Sequence, residues 1–253
     1  MLGGSGVAPA PQVNYKYLEL AASQYLNGGN ILSMGNGTVD QAFTVRGWFR
    51  NRNTAAQQDY MYKGQWATMQ WGIEFGGASN MFNLWIFDGS TANNLLLETT
   101  TSLMTQGQFH HLVWGYDGSG LHTGLFCRMD GVDVRNTSKQ NGTYNNMQTN
   151  TDNFNIGQRQ GNAWYSQTDF DDVVIFNKAL SAAEADEAYD SGNQTTYDIT
   201  THSCYASNKL AYWTMGDNAS DDATSGTGQI TDESGNGYHL TPQGTVAGDI
   251  KDI

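Results

Sequence analysis

Apolar and polar side chains alternate over short stretches along most of this chain, which is the period-two signature of half-buried β-strands. In FTVRGWF the alternation puts Phe43, Val45 and Phe49 on one face and Arg46, Trp48 and, one residue further on, Arg50 on the other. WGIEFG sends Trp71, Ile73 and Phe75 inward and Glu74 outward, and MFNLWIF groups Phe82, Leu84 and Ile86. FHHLVWGY, GLFCRM, GVDVRN, FNIGQR and DFDDVVIF continue the series, separated by turn residues and not by helical stretches, which excludes a βαβ chain. Asp88-Gly89, Asp117-Gly118 and Asp130-Gly131 each follow a strand and suit type I′ turns, which need positive φ at both central residues. One helix is signalled near residues 181–191. Ser181 and Glu184 have capping-box spacing, Ala185, Ala188 and Tyr189 form an apolar stripe, and Gly192 supplies a positive-φ stop. Such a short helix is expected to ride on one edge of the sheets. Residues 193–209 read as turns, LAYWTM as a strand, and ITDESGNGYHLTP as a return to order after a polar loop.

The fold class that follows is all-β, an antiparallel β-sandwich with many tight turns. With 253 residues the chain can bury a large core, and its 30 glycines and 15% charged residues fit a turn-rich sandwich. Twelve Lys and Arg against 25 Asp and Glu give a net charge of −13, which repels a phosphate backbone and argues against a nucleic-acid partner. No apolar run is long enough to span a bilayer, so a membrane is not an expected partner. The opening residues show neither the basic nor the apolar region of a secretory signal, and residues 1–15 are expected to form an arm. Cys127 and Cys204 fit no metal or redox spacing and read as buried thiols.

The pieces YLELAASQYL, FTVRGWF, FHHLVWGYDGSG, RMDGV, NIGQR and DFDDVVIFNKALSAAEADEAYDSG, in that order, resemble the laminin G-like, concanavalin A-like jelly rolls of extracellular, bacterial and viral proteins. The last block, a strand followed by Asn-Lys-Ala-Leu-Ser and a capped helix, is the specific one. The resemblance implies a jelly roll over residues 16–192. Residues 193–253 are then an extension that folds back to complete the sandwich or contacts a neighbour. The tail departs from the family layout, because LAYWTMGD and ITDESGNGYHLTPQG look like the opening of such a domain.

The same family hosts glycoside hydrolases, whose acids stand as E-x-D-x-E on one strand face. The nearest run here is Asp169, Asp171 and Val173, which lacks the final acid, so no catalytic residues are assigned and the protein is not expected to be an enzyme. His110 and His111 point to opposite faces of a strand and cannot share an ion, while His122, His202 and His239 are scattered, so no metal residues are assigned. Asp232-x-Ser234-x-Asn236-Gly237 matches the first half of a calcium loop, but Gln243 stands where a bidentate Glu is needed. Calcium stays open, with Asp152, Asp217, Asp221 and Asp222 as acidic loop residues and no ligand set assigned.

Sugar recognition needs a flat exposed aromatic face with planar polar groups beside it. GQRQGNAWYSQTD offers Gln158, Arg159, Asn162, Trp164 and Tyr165 together, and the outer face of FTVRGWF adds Arg46 and Trp48. These seven are the candidate ligand-binding residues. The resemblance of the YWTMGD…DESGNG tail to segments of phage structural proteins implies a non-catalytic jelly roll on a virus particle, as capsid decoration or fibre component. Its partners would be other virion proteins or itself, and host-surface glycans. The alternatives are a bacterial extracellular glycan-binding or adhesion module and, more remotely, a glycoside hydrolase.

Overall fold

A computed structural model describes residues 15–161 and 164–253. The expected arm, apart from Tyr15, and the candidate Asn162 lie outside the described residues. Sixteen strands run through the described residues. They are β1 (Lys16–Glu19), β2 (Tyr25–Gly29), β3 (Phe43–Asn51), β4 (Gln57–Lys63), β5 (Trp71–Gly76), β6 (Phe82–Ser90), β7 (Asn93–Thr99) and β8 (Phe109–Tyr116), then β9 (Leu125–Met129), β10 (Val132–Asp133), β11 (Arg135–Asn141), β12 (Phe154–Ile156), β13 (Thr168–Phe176), β14 (Lys209–Trp213), β15 (Thr241–Gln243) and β16 (Ile250–Asp252). They form two eight-stranded antiparallel sheets, one ordered β10-β9-β8-β3-β13-β1-β16 with β14 also on β13, the other β11-β7-β6-β5-β4-β12-β2-β15. The architecture is a β-sandwich of the jelly-roll kind. The tail contributes to both layers: β14 pairs with β13 and β16 with β1 in the first sheet, and β15 pairs with β2 in the second.

The core lies between the sheets, where inward residues of each strand interdigitate. Phe43 and Trp114 of the first sheet meet Trp71 of the second at ring separations of 5.2 Å and 5.6 Å, and Trp213 of the tail stacks on Phe154 at 5.9 Å. Phe82, Leu84 and Ile86 join them. Both cysteines are buried, unbridged thiols.

Of the three Asp-Gly pairs, Asp130-Gly131 alone makes a two-residue turn with positive φ at both positions (49° and 78°), joining β9 to β10. At Asp88-Gly89 and Asp117-Gly118 only the glycine is positive. The first of these pairs sits within β6, where the register shifts between Phe87 and Ser90, so the chain bulges there and turns later.

Helix α1 (Ala182–Tyr189) starts at the expected capping box, with Ser181 Oγ accepting from the Glu184 amide and Glu184 Oε2 accepting from the Ser181 amide. It ends at Asp190, whose φ of 43° makes it the left-handed cap, two residues before Gly192. The expected position on a sheet edge is not what is found. With helix α2 (Tyr205–Asn208) and the intervening turns, α1 lies over the outer face of the first sheet. There Ala185, Ala188, Ile199 and Tyr205 form a second apolar cluster with Val113, Val174, Phe176 and Tyr212. The outward face of FTVRGWF is therefore an interior.

Candidate functional site

On the outer face of the second sheet, two local features shape the middle strands. In β4 the register shifts between Asp59 and Met61, so Tyr60 is an extra residue. Tyr60 and Met61 both enter the core, and Asp59 and Tyr62, three apart, both face outward. In β5 the facing residues are Glu74, directly opposite Asp59, and Gly72, opposite Tyr62. A Cβ on Gly72 would stand 2.1 Å from the Tyr62 ring, so the absence of a side chain lets that ring lie flat across the strand. Trp85 and Phe87 of β6 stack at 5.5 Å on the same face.

Two turns then rise over this floor. Residues 64–68 carry Trp66, whose indole packs edge-on to Trp85 and Phe87 at 6.2 Å and 5.7 Å. Residues 157–161 and 164–166, after β12, bring Arg159, Gln160 and Trp164, joined to the first turn by a bridge between Gln65 and Gln160. The Arg159 guanidinium lies 4.6 Å from the Trp66 ring, 5.3 Å from Trp164 and 5.2 Å from Tyr62, three cation–π contacts on one side chain. Both indoles stay about half exposed, at 45% for Trp66 and 49% for Trp164. They flank a groove of about 330 Å³ whose other walls are Gln57, Glu74 and Arg159.

The electrostatics beneath the indoles are concentrated in a few groups. Glu74 accepts hydrogen bonds from Gln57 Nε2 (3.1 Å), the Tyr62 hydroxyl (3.2 Å) and Asn83 Nδ2 (2.9 Å). Asp59 is fully buried 3.7 Å from Arg159, and burial pushes its carboxyl up to about 7, with Arg159 pulling the other way and Glu74 adding to the rise. The Asp59 carboxyl has no surface of its own and lies under the Arg159 guanidinium, while Glu74 reaches the groove wall.

The sequence candidates are divided among three places. Arg159 and Trp164 line the groove. Gln158 is buried and bridged to Tyr165, outside the groove lining, and Tyr165 packs on Tyr25 at 6.2 Å. Arg46 and Trp48 are not ligand-accessible, which corrects the expectation for the FTVRGWF face. Arg46 is fully buried, donating to the Asp172 carbonyl (2.6 Å), the Asp172 carboxylate and the Ala188 carbonyl (3.1 Å). Trp48 is 5% exposed, packed on His111 at 5.0 Å and roofed by Tyr189 of the helix. His111 itself is pushed well below the usual imidazole range, first by burial and then by the Arg46 charge.

Residues that the sequence reading passed over are Trp66, Tyr62, Gln57, Asp59 and Glu74. Trp66 sits in the undistinguished stretch GQWAT, and only its approach to a turn about ninety positions later makes it part of a site.

The acid run on β13 is also resolved. Asp172 has φ of 49° and inserts an extra residue between Asp171 and Val174 in the pairing with β3. The strand therefore changes face, and Val173 enters the core, leaving Asp169 and Asp171 without a third partner in line. Asp169 is held by Arg50 (2.6 Å) and Arg52 (3.0 Å), and Asp171 by Gln194 (2.7 Å).

Among the described residues no group of three or more His, Cys, Asp or Glu is placed to hold a metal ion. In the loop that resembles half a calcium site, the Asp232 carboxylate accepts from the amides of Tyr212, Ser234 and Tyr238 and from the Ser234 hydroxyl, which uses its acceptor capacity internally. Asp152, Asp217, Asp221 and Asp222 likewise accept from nearby backbone or hydroxyl groups.

Residues 23–186 match a laminin G family model described as the concanavalin A-like lectin/glucanases superfamily. No curated protein sequence matches the chain. Among solved structures, the chain superposes along its whole length on a Bacteroides ovatus protein to which carbohydrate binding has been provisionally ascribed, with a TM-score of 0.58 and 16% identity, and it spans 65% of that protein. It also resembles a heptameric SAP-like pentraxin from Limulus polyphemus, with a TM-score of 0.50, 12% identity, 70% of this chain and 82% of the other. Likeness at such identities establishes the fold alone.

Proposed function

Since this chain belongs to the concanavalin A-like lectin/glucanase superfamily, we propose that it is a non-catalytic carbohydrate-binding module whose ligand lies in the groove between Trp66 and Trp164. One observation carries the reading: two half-exposed indoles stand on either side of a guanidinium, above a floor of amide and carboxylate groups. Indole faces stack on the C–H face of a pyranose, and planar polar groups order its hydroxyls. The carbohydrate-binding description of the Bacteroides ovatus protein is consistent with this.

The test is a glycan array, followed by calorimetry on the best ligand with the parent chain and single variants. Trp66→Ala and Trp164→Ala should each weaken binding about tenfold, from about 1.4 kcal/mol of lost stacking. Tyr165→Ala, off the groove, should leave it unchanged. An array with no captured glycan, or binding indifferent to both tryptophans, would refute the proposal.

Presentation on a virus particle, or alternatively an extracellular adhesion role, belongs to the same proposal as its biological setting. The particle reading rests on the tail motif, and the tail strands β14, β15 and β16 pair within their own chain. Locating the protein in a purified particle by mass spectrometry would decide between the two settings.

A further inference from the structure

We infer that the groove takes an uncharged sugar and turns away carboxylated or sulfated ones, an inference that rests on the glycan-binding reading above. Two observations carry it. The first is Arg159: its side chain lines the groove against both indoles and is 4% exposed, with Nε and Nη1 covered and Nε 3.7 Å from the buried Asp59 carboxylate. Its positive charge is therefore already faced by a carboxylate within the protein and is not held open for an incoming anion.

The second observation is the balance of charge around the groove. The charged side chains lining the groove are Arg159 and Glu74, with Asp59 directly beneath. Whether Asp59 keeps its proton or loses it, positive charge never outnumbers negative. An incoming carboxylate or sulfate gains no net attraction, and it meets Glu74 in the same wall. A hydroxylated ring fits this lining: its C–H face stacks on an indole, and a hydroxyl donates to Glu74, whose present donors are neutral amides and a phenol. The chain's net charge of −13 adds a longer-range barrier to polyanions.

The experiment uses the full chain and an array that pairs neutral hexose oligomers with uronate and sulfated oligomers of the same backbone, followed by calorimetry on the best pair at two salt concentrations. Neutral oligomers are expected to bind at least about tenfold tighter than their anionic counterparts, and the gap should narrow in Glu74→Gln, which removes the repelling charge. Equal or tighter binding of the anionic series overturns this inference and leaves the glycan-binding reading standing. No binding to either series overturns both. Trp164→Ala should weaken both series together, which separates lost stacking from lost charge discrimination.

Discussion

Arg46 stood among the candidate ligand residues by its position on an outward strand face, and its burial turns it into a test of how the helix is fastened to the sandwich. Its guanidinium is fully buried and donates three hydrogen bonds, two to Asp172 at the bulge of β13 and one to the Ala188 carbonyl in the last turn of α1. The Asp172 side chain is itself only 5% exposed. Arg46→Met fills much of the same volume with apolar atoms, takes the Arg46 donor from two carbonyls and leaves the buried Asp172 carboxylate without its counter-charge. Removing one member of such a pair costs about 3–5 kcal/mol, a large share of the 5–15 kcal/mol that about spans the stability of ordinary domains. With a urea m-value of about 3 kcal/mol per molar, the unfolding midpoint should fall by about 1–1.7 M, read from tryptophan fluorescence. Adding Asp172→Asn removes the stranded charge while keeping a residue that tolerates the left-handed backbone, so the double variant should regain about 2 kcal/mol over Arg46→Met alone. A midpoint shift below about 0.3 M for Arg46→Met would refute the reasoning. So would an unchanged midpoint accompanied by lost glycan binding, which would return Arg46 to a ligand role.

Two further outcomes follow from the groove. Asp59 holds a proton up to about 7 in the folded chain against an ordinary value of 3.8, so the native state binds more protons than the unfolded state between those values, and its share of stability is lost as pH rises through that window. Asp59→Asn should therefore flatten part of the decline in urea midpoint between about pH 4 and pH 7, and an identical pH profile in parent and variant would count against the buried carboxyl. Gly72→Ala places a methyl 2.1 Å from the Tyr62 ring and should cost about 1–3 kcal/mol while weakening glycan binding, because Tyr62 supports both Glu74 and Arg159. A thermal midpoint and near-UV circular dichroism unchanged from the parent would show that the ring moves freely instead.

The alternation of side chains was enough to determine the antiparallel sandwich, many of its strands and the inward sets around Trp71 and Phe82, though not β4 or β7, because burial of one sheet face imposes period two on any sequence that folds this way. Local chemistry likewise determined the Asp130-Gly131 turn and the Ser181 capping box, whose hydrogen bonds close within four residues. What alternation could not reveal was which outward faces stay outward. Arg46 and Trp48 became interior because α1 and its flanking turns lie across them, and nothing within FTVRGWF encodes that cover. Two single-residue bulges had the same effect along a strand: the extra Tyr60 set Asp59 and Tyr62 on one face, and the left-handed Asp172 turned Val173 into the core. A bulge is fixed by the pairing of two strands distant in sequence, and a groove built by Trp66 and Arg159 is fixed by two turns meeting. Those contacts are made in three dimensions, so the groove became legible only once the chain was folded.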